Sequence, residues 1–457
     1  SIIWPRGMVL GGSSSINGLN FIRGQKEDFD DWEKLGAKGW DYRSVLPSFR
    51  RLENYKGGED QYHGNLGEMK VSDLKNDNPA CQAWIEAAKE FGLPPNSDFN
   101  GDTTYGVGSY QFSTSGRLRC SSATAFLKPA MKRSNLTVKT NALVSKVLFK
   151  GNNAIGIEWI ENNELKQAYS SKEVILSGGS LQSPQLLQLS GIGPANLLQK
   201  YKIPIIHDSP EVGQNLQDHY QVRGIVKLKN NHGSINNQSR NPIKLAEWGL
   251  RWLLSGSGPL TCGAGQIGGA ACSKYSKNER PDLQFNVMPL SVDKPGEPLH
   301  NYPGFTASVW QCHPQSRGTL AINSTDPTVQ AEIRPEYLSA KLDREVIVEG
   351  IKMIRDIFNQ RSFKNLWDEE VLPGLNVKTD EEILSWAKNN GGTVFHAVGT
   401  CRMGSDSQSV VNEKLQVRGV NNLRVIDASV MPQVTSANTN APSLMIGEKG
   451  ASFLTDS

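Results

Sequence analysis

Between Gly391 and Gly447 two segments carry residue types suited to one reaction centre. The first, Thr393-Val394-Phe395-His396-Ala397-Val398-Gly399-Thr400-Cys401-Arg402-Met403-Gly404, sets one imidazole in a largely apolar stretch. Neutral imidazole titrates near neutrality and can take a proton from a hydroxyl, so His396 is a candidate general base. A hydrogen-bonded core histidine is the plainer role for the same pattern. The second segment follows the apolar run Leu423-Arg424-Val425-Ile426 and reads Asp427-Ala428-Ser429-Val430-Met431-Pro432, then Ser436-Ala437-Asn438-Thr439-Asn440-Ala441-Pro442, then an apolar run to Gly447. Asn440 or Thr439 can cap a helix there and Pro442 suits its first turn. Free backbone N–H groups and the positive end of the dipole then point at whatever precedes Asn438. Such a helix end favours an anion.

Holding these groups requires a frame, and several stretches supply one. Glu173-Val174-Ile175-Leu176-Ser177 predicts a buried strand ending at Gly178-Gly179 and leading to a helix from about Ser183 to Leu189. Strand, glycine turn and Ser-Pro helix opening are the grammar of a doubly wound α/β domain. The small residues of Leu10-Gly11-Gly12-Ser13-Ser14-Ser15-Ile16-Asn17-Gly18 let backbone approach a bulky ligand, although a bare Ser/Gly loop has the same composition. Leu136–Lys139, Val144–Phe149 and Ala154–Ile160 predict a small antiparallel meander. Leu283–Val287, Ala307–Cys312 and Thr319–Ile322 predict strands of a second domain. Ile347, Ile351, Ile354 and Phe358 form the apolar stripe of a covering helix, and Pro79 to Phe91 predicts another helix.

Three ordered matches across the chain resemble the glucose-methanol-choline family of flavin oxidoreductases. The Leu10 to Gly18 turn is similar to the family's first signature, and Gly179-Ser180-Leu181-Gln182-Ser183-Pro184 running on to Ser190-Gly191-Ile192-Gly193 is similar to its second. His396 and Asn438 fall on the positions of the catalytic histidine and its His-or-Asn partner. Val212-Gly213-Gln214-Asn215-Leu216-Gln217-Asp218-His219 and Gly116-Arg117-Leu118-Arg119-Cys120-Ser121-Ser122-Ala123 resemble further family segments, the latter a loop near the flavin. Arg280 to Phe285 and Gln315 to Gly318 resemble choline-dehydrogenase-like members.

The resemblance implies an α/β fold: a doubly wound FAD-binding domain, residues 1-25, 134-220 and 399-457, intertwined with an α+β substrate domain on an antiparallel sheet, residues 26-133 and 221-398. It implies FAD-dependent oxidation of a primary or activated alcohol to an aldehyde or ketone. Hydride passes to flavin N5, His396 takes the hydroxyl proton and Asn438 holds the oxygen. The implied cofactor contacts are Gly11, Gly12, Ser13, Ser14, Asn17 and Gly18 in the early turn, Val144 at the adenine, and Asp427, Ala428, Asn440 and Ala441 near the last helix. Oxygen or a quinone-like acceptor would reoxidise the flavin.

Several departures refine these expectations. Ile16 stands where some members carry a histidine that links to the flavin, so a non-covalent cofactor is implied; Met8 stands where a basic residue is common. The family opens with a strand, a G-x-G-x-x-G turn and a helix, a unit of roughly 30 residues, and only a few residues precede Gly11. The amino-terminal unit is therefore expected to be missing and this polypeptide to hold FAD weakly or not at all. Gly263-Ala264-Gly265-Gln266-Ile267-Gly268 fits the letters but follows turn-rich text, which makes it a decoy.

Cys312 resembles, in position, a cysteine of the family's fatty-acid photodecarboxylases, which lack the histidine at His396. That chemistry, hydroxynitrile lyase activity and a cofactor-free remnant stand as alternatives. Composition narrows the field: 457 residues, 37 % of them hydrophobic, suffice for a large core, and a net charge of +3 without a basic block gives no support to nucleic-acid binding. No run reaches the roughly 18 apolar residues of a membrane span. The six separated cysteines, Cys81, Cys120, Cys262, Cys272, Cys312 and Cys401, form no metal pattern and read as reduced thiols in the cytoplasm. His63, His207, His232 and His300 sit in turn-like text and are expected to face solvent.

Overall fold

The computed structural model describes residues 2–455 apart from 75, 76, 231, 262, 264 and 295, so Cys262 and Ala264 lie outside the described residues. Alternating side chains build a seven-stranded antiparallel sheet. Its order is Trp367–Leu372, Tyr220–Leu228, Gly304–Gln311, Leu283–Met288, Ile267–Ala271 and Gly106–Ser109, with Gly392–Thr393 also paired to Tyr220–Leu228. Val222, Phe285, Val287, Ala307 and Val309 face one side and pack with Ile347, Ile351, Ile354 and Phe358 of the helix Lys341–Phe358, all of them buried. The predicted stripe is that helix's core face. Gly350 allows the approach, since a Cβ there would stand 2.9 Å from a Val309 methyl. Gln221, Trp310, Ser308, Gln284 and Asn286, one residue out of phase, lie on the opposite face.

The second body centres on a parallel pair, Val174–Leu176 beside Leu423–Val425. The helix after Val174–Leu176 starts at Gly179, four residues before the predicted start, and carries Pro184 inside. The meander exists and is antiparallel, but its strands are Leu143–Lys150, Asn153–Glu161 and Glu164–Tyr169. Leu136–Lys139 forms no strand. The third strand is almost wholly exposed, so its residues Glu164-Leu165-Lys166-Gln167-Ala168-Tyr169 carry no hydrophobic alternation to read. The predicted helix Pro79–Phe91 is present, with Asn78 capping it and Gly92 closing it at φ 114°.

Two of the histidines expected to face solvent do not. His63 is fully buried: Nδ1 meets Glu53 Oε2 at 2.9 Å and Nε2 meets Asp98 Oδ2 at 3.1 Å, while Arg23 Nη2 donates to the same Glu53 oxygen at 2.7 Å. His300 is largely buried and bonded to Ser291 and Asp293. Among the described residues no helix is long and apolar enough to cross a membrane, and Cys120, Cys272, Cys312 and Cys401 are free thiols.

Candidate active site

The loop that carries His396 is held by the segment Asn215 to His219. Gln217 and Val398 exchange both backbone hydrogen bonds, at 3.1 and 2.9 Å. The Asn215 amide donates to the Gly399 and Pro432 carbonyls, and the Gln217 amide donates to Pro432 while accepting from Val434 N. One short segment thus clamps both chemical segments. Gly399 has φ 91° and packs against Asn215 too closely for a Cβ. Cys401 N and Met403 N then donate to the Ser429 and Val430 carbonyls at 2.8 Å.

Asp218 sets the loop's pitch. Its Oδ1 accepts from His396 N at 2.7 Å, and its Oδ2 accepts from Thr393 Oγ1 at 2.5 Å and from the Tyr337 hydroxyl. Burial pushes the Asp218 carboxyl up to about 6, against the opposing pull of the Thr393 and Tyr337 hydrogen bonds and the Arg6 charge.

The structure brings the two predicted catalytic side chains together. Asn438 Nδ2 lies 3.0 Å from His396 Nε2, and Asn438 Oδ1 is buried without a protein partner among the described residues. On its other side His396 Nδ1 lies 2.9 Å from His219 Nδ1, and His219 Nε2 lies 2.9 Å from the Cys312 carbonyl. Trp310, fully buried, packs against both imidazoles with ring centroids 6.1 and 6.2 Å away. Burial, then the neighbouring His219 and Arg6, holds His396 well below the ordinary imidazole range, so its imidazole is neutral at physiological pH. Burial likewise lowers His219 to about 4.

Of the residues predicted to touch a cofactor, Asn440 and Ala441 follow Asn438 closely in the chain. Gly12–Ser15 forms a short turn of 3-10 helix after Gly11 at φ 90°. Ser14 Oγ bonds the Gly11 carbonyl and Ser122, and Arg119 donates to Asn17 Oδ1 and O, so the Gly116 to Ala123 segment braces the turn. Leu19, just past the turn, shares an apolar cluster with Ala437 next to Asn438. A Cβ at Gly12 or Gly18 would meet nothing within 4 Å, and the flanking Met8 and Ile16 are exposed. Open backbone, exposed apolar flanks and an unpartnered amide oxygen fit a flat ring with a polar edge.

The remaining predicted residues divide. The final helix starts at Asn440, with Ala441 and Pro442 in its first turn and the Thr439 carbonyl accepting from Ser443 N. The Asp427 carboxylate is used within the protein, by Gly179 N, Ser183 Oγ and Ser429 N at 2.9, 2.5 and 2.8 Å, and the Ala428 carbonyl accepts from Gly399 N and Met431 N, both at 3.4 Å. Val144 lies in the meander, paired with Trp159. Gly263 and Gly265 are no phosphate loop: a strand, Ile267–Ala271, follows them instead of a helix, and they permit close contact with Gly18 and Asn286. The Cys312 thiol is buried, and burial holds it protonated; its backbone carbonyl is the group that reaches the site. His219 is the site residue that sequence reasoning did not single out. The signal that could have found it is the resemblance of the Val212 to His219 segment to the family, which ends on this histidine.

Comparison with known proteins places the chain in a family. Family models described as GMC oxidoreductase match residues 1–221 and 314–447. The first begins at residue 1, so the expectation that the amino-terminal unit is missing is not borne out. The chain is 40 % identical to the alcohol dehydrogenase [acceptor] of Pseudomonas putida, over 99 % of this chain and 82 % of that protein. It is 38 % identical to the mitochondrial choline dehydrogenase of Homo sapiens, over 99 % and 76 %. Among solved structures it resembles pyridoxine 4-oxidase from Mesorbium loti, with a TM-score of 0.88 at 26 % identity, covering 99 % of this chain and 85 % of that one. An FAD-dependent oxidoreductase from Chaetomium thermophilum gives a TM-score of 0.90 at 27 % identity, covering 99 % and 86 %.

Proposed function

This chain belongs to the GMC oxidoreductase family, and from that premise we propose that it oxidises a primary or otherwise activated alcohol to an aldehyde or ketone with His396 as the base. FAD, when bound, supplies the hydride acceptor at its N5. The early turn, with Gly11, Gly12, Ser13, Ser14, Asn17 and Gly18, would hold it together with Val144, Asp427, Ala428, Asn440 and Ala441. No covalent link forms, since Ile16 offers none.

The observation that carries this function is the 3.0 Å approach of Asn438 Nδ2 to His396 Nε2 two residues before a helix start. The substrate hydroxyl replaces the amide on the imidazole lone pair. Its O–H bond breaks as an N–H bond forms at Nε2, and the Asn438 N–H group meets the oxygen as its charge grows. The positive end of the helix from Asn440 favours negative charge on the site, and Trp310 excludes water from the base. Oxygen or a quinone-like compound takes up the electrons afterwards. The proposed compartment is the cytoplasm, where the free thiols stay reduced.

An anaerobic screen of alcohols against the flavin-loaded protein, followed by admission of air, tests the function. Bleaching by at least one alcohol is expected, and recolouring in air marks oxygen as acceptor. A flavin that no alcohol bleaches overturns the proposal.

A further inference from the structure

The base does not stand alone: behind it runs a chain of hydrogen bonds whose direction has one solution. A backbone carbonyl only accepts, so His219 Nε2, 2.9 Å from the Cys312 oxygen, carries a proton. A neutral imidazole has one N–H, which leaves a lone pair on His219 Nδ1. The hydrogen on the 2.9 Å line between the two Nδ1 atoms therefore belongs to His396. His396 Nε2 is then the free lone pair, and Asn438 must turn its NH2 toward it, the orientation observed at 3.0 Å.

We propose that His219 is a positioning residue: it carries the polarity of the Cys312 carbonyl through to His396 and fixes that imidazole in the tautomer with its lone pair on Nε2, facing the substrate. The inference rests on the proposed role of His396 as base. In the opposite tautomer two lone pairs would face each other across 2.9 Å in a site where His219 is fully buried and His396 is 6 % exposed. The rings stand nearly perpendicular, at 85°, with Trp310 against both, so neither imidazole can swing away.

The proton balance is simple. When His396 Nε2 receives the substrate proton, the imidazolium keeps its Nδ1–H bond to His219 Nδ1, and the same bond offers the extra charge a second nitrogen to rest on. The charged and titratable groups around the pair are Arg6 and Asp218 near His396, and Asp28 and His313 near His219. The strong preference for neutral histidines agrees with the ordering.

Nitrogen NMR of the flavin-loaded protein with labelled histidine gives the direct test, because it reads the tautomer without turnover. His396 is expected with its proton on Nδ1 and a bare Nε2, and His219 with its proton on Nε2. His219→Leu removes the acceptor, so His396 should become a mixture of tautomers and kcat/KM should fall about 10- to 100-fold, the scale of losing a partner that orients a functional histidine. His219→Gln keeps an acceptor and a donor on one side chain and should recover most of that loss. Cys312→Ser keeps the backbone carbonyl and should leave the tautomer as in the wild type.

Two results would overturn the inference: a proton on His396 Nε2 in the wild type, or a folded His219→Leu protein with normal flavin content, tautomer and kcat/KM. Should His219→Leu fail to fold, the wild-type spectrum still decides. If His396→Ala turned over alcohol normally, the base assignment would fail instead, whatever the tautomer.

Discussion

Asp28 Oδ2 accepts both the backbone N–H and the hydroxyl of Ser436, at 2.8 and 2.7 Å, across 408 residues of sequence. Its other oxygen accepts from Arg280 Nη2 at 2.7 Å and His313 Nε2 at 2.9 Å. One buried carboxylate thus ties the segment leading to Asn438 to the sheet side of the site. Burial alone would raise the Asp28 carboxyl, yet His313 and Arg280 bring it down to about 2.

Asp28→Asn is expected to destabilise the fold by about 1–3 kcal/mol, the cost of weakening the charge-assisted hydrogen bonds to Ser436, His313 and Arg280, while Arg280 keeps Asp31 as a partner at 2.6 Å. Denaturant titration of the two proteins measures it. In the wild type the folded pKa is lowered, so this stability is present above the unfolded value near 4 and is lost as pH falls toward 2. Equal midpoints for variant and wild type at pH 7 would show the carboxylate to be dispensable.

His63 has the opposite sign. Burial lowers its pKa, but the hydrogen bonds to Asp98 and Glu53 outweigh that and bring it to about 9. A raised folded pKa means stability fully present below the unfolded value of about 6.5 and lost as pH rises through 9. Asp98 is 30 % exposed, so solvent screening reduces the contribution to on the order of 2 kcal/mol. Denaturation at pH 6 and pH 9.5 should show that loss in the wild type and little of it in His63→Gln.

How much of this was legible depended on the range of the interaction. The stripe Ile347, Ile351, Ile354 and Phe358, the strand at Val174 and the helix start near Asn440 follow from local periodicity and capping, and all are present. The pairing of His396 with Asn438, 42 residues apart, came through family resemblance and not through spacing. His219 lies 177 residues from His396, and Asp28 lies 285 from His313, so no local pattern announces either contact. Ile267–Ala271 and Gly106–Ser109 escaped because glycine-rich text reads as turn; in the sheet a Cβ at Gly269 would strike the Gly106 carbonyl at 2.2 Å. His63 looked solvent-facing because its acidic partners, Glu53 and Asp98, sit in separate segments.

For the base itself, His396→Ala should lower the anaerobic rate of flavin bleaching by about 100- to 10,000-fold with unchanged flavin content, the usual worth of a positioned general base. The pH profile adds a sign. Because His396 is held below the ordinary imidazole range, kcat/KM should not fall as pH drops through 6.5. The acid loss should begin near pH 6, where Asp218 takes a proton and weakens as acceptor for His396 N. An acid limb centred at or above 6.5 would contradict this.

Asn438 offers the sharpest discrimination, because two substitutions act on the base in different ways. In Asn438→Ala the lone pair on His396 Nε2 stays free and only the amide donor to the substrate oxygen is lost, which should cost about 10-fold in kcat/KM, one hydrogen bond strengthened in the transition state. In Asn438→Asp a carboxylate faces that same lone pair at hydrogen-bonding distance and cannot donate to it. The pair is relieved when a proton settles on Nε2, so the charge raises the His396 pKa and holds the imidazole in its acid form at neutral pH. The expected loss at pH 7 is therefore larger, about 100-fold or more, and it should shrink as pH rises and the imidazolium deprotonates. The alanine variant should show no such recovery. Parallel pH profiles for the two variants would mean that Asn438 does not touch the base in the working enzyme.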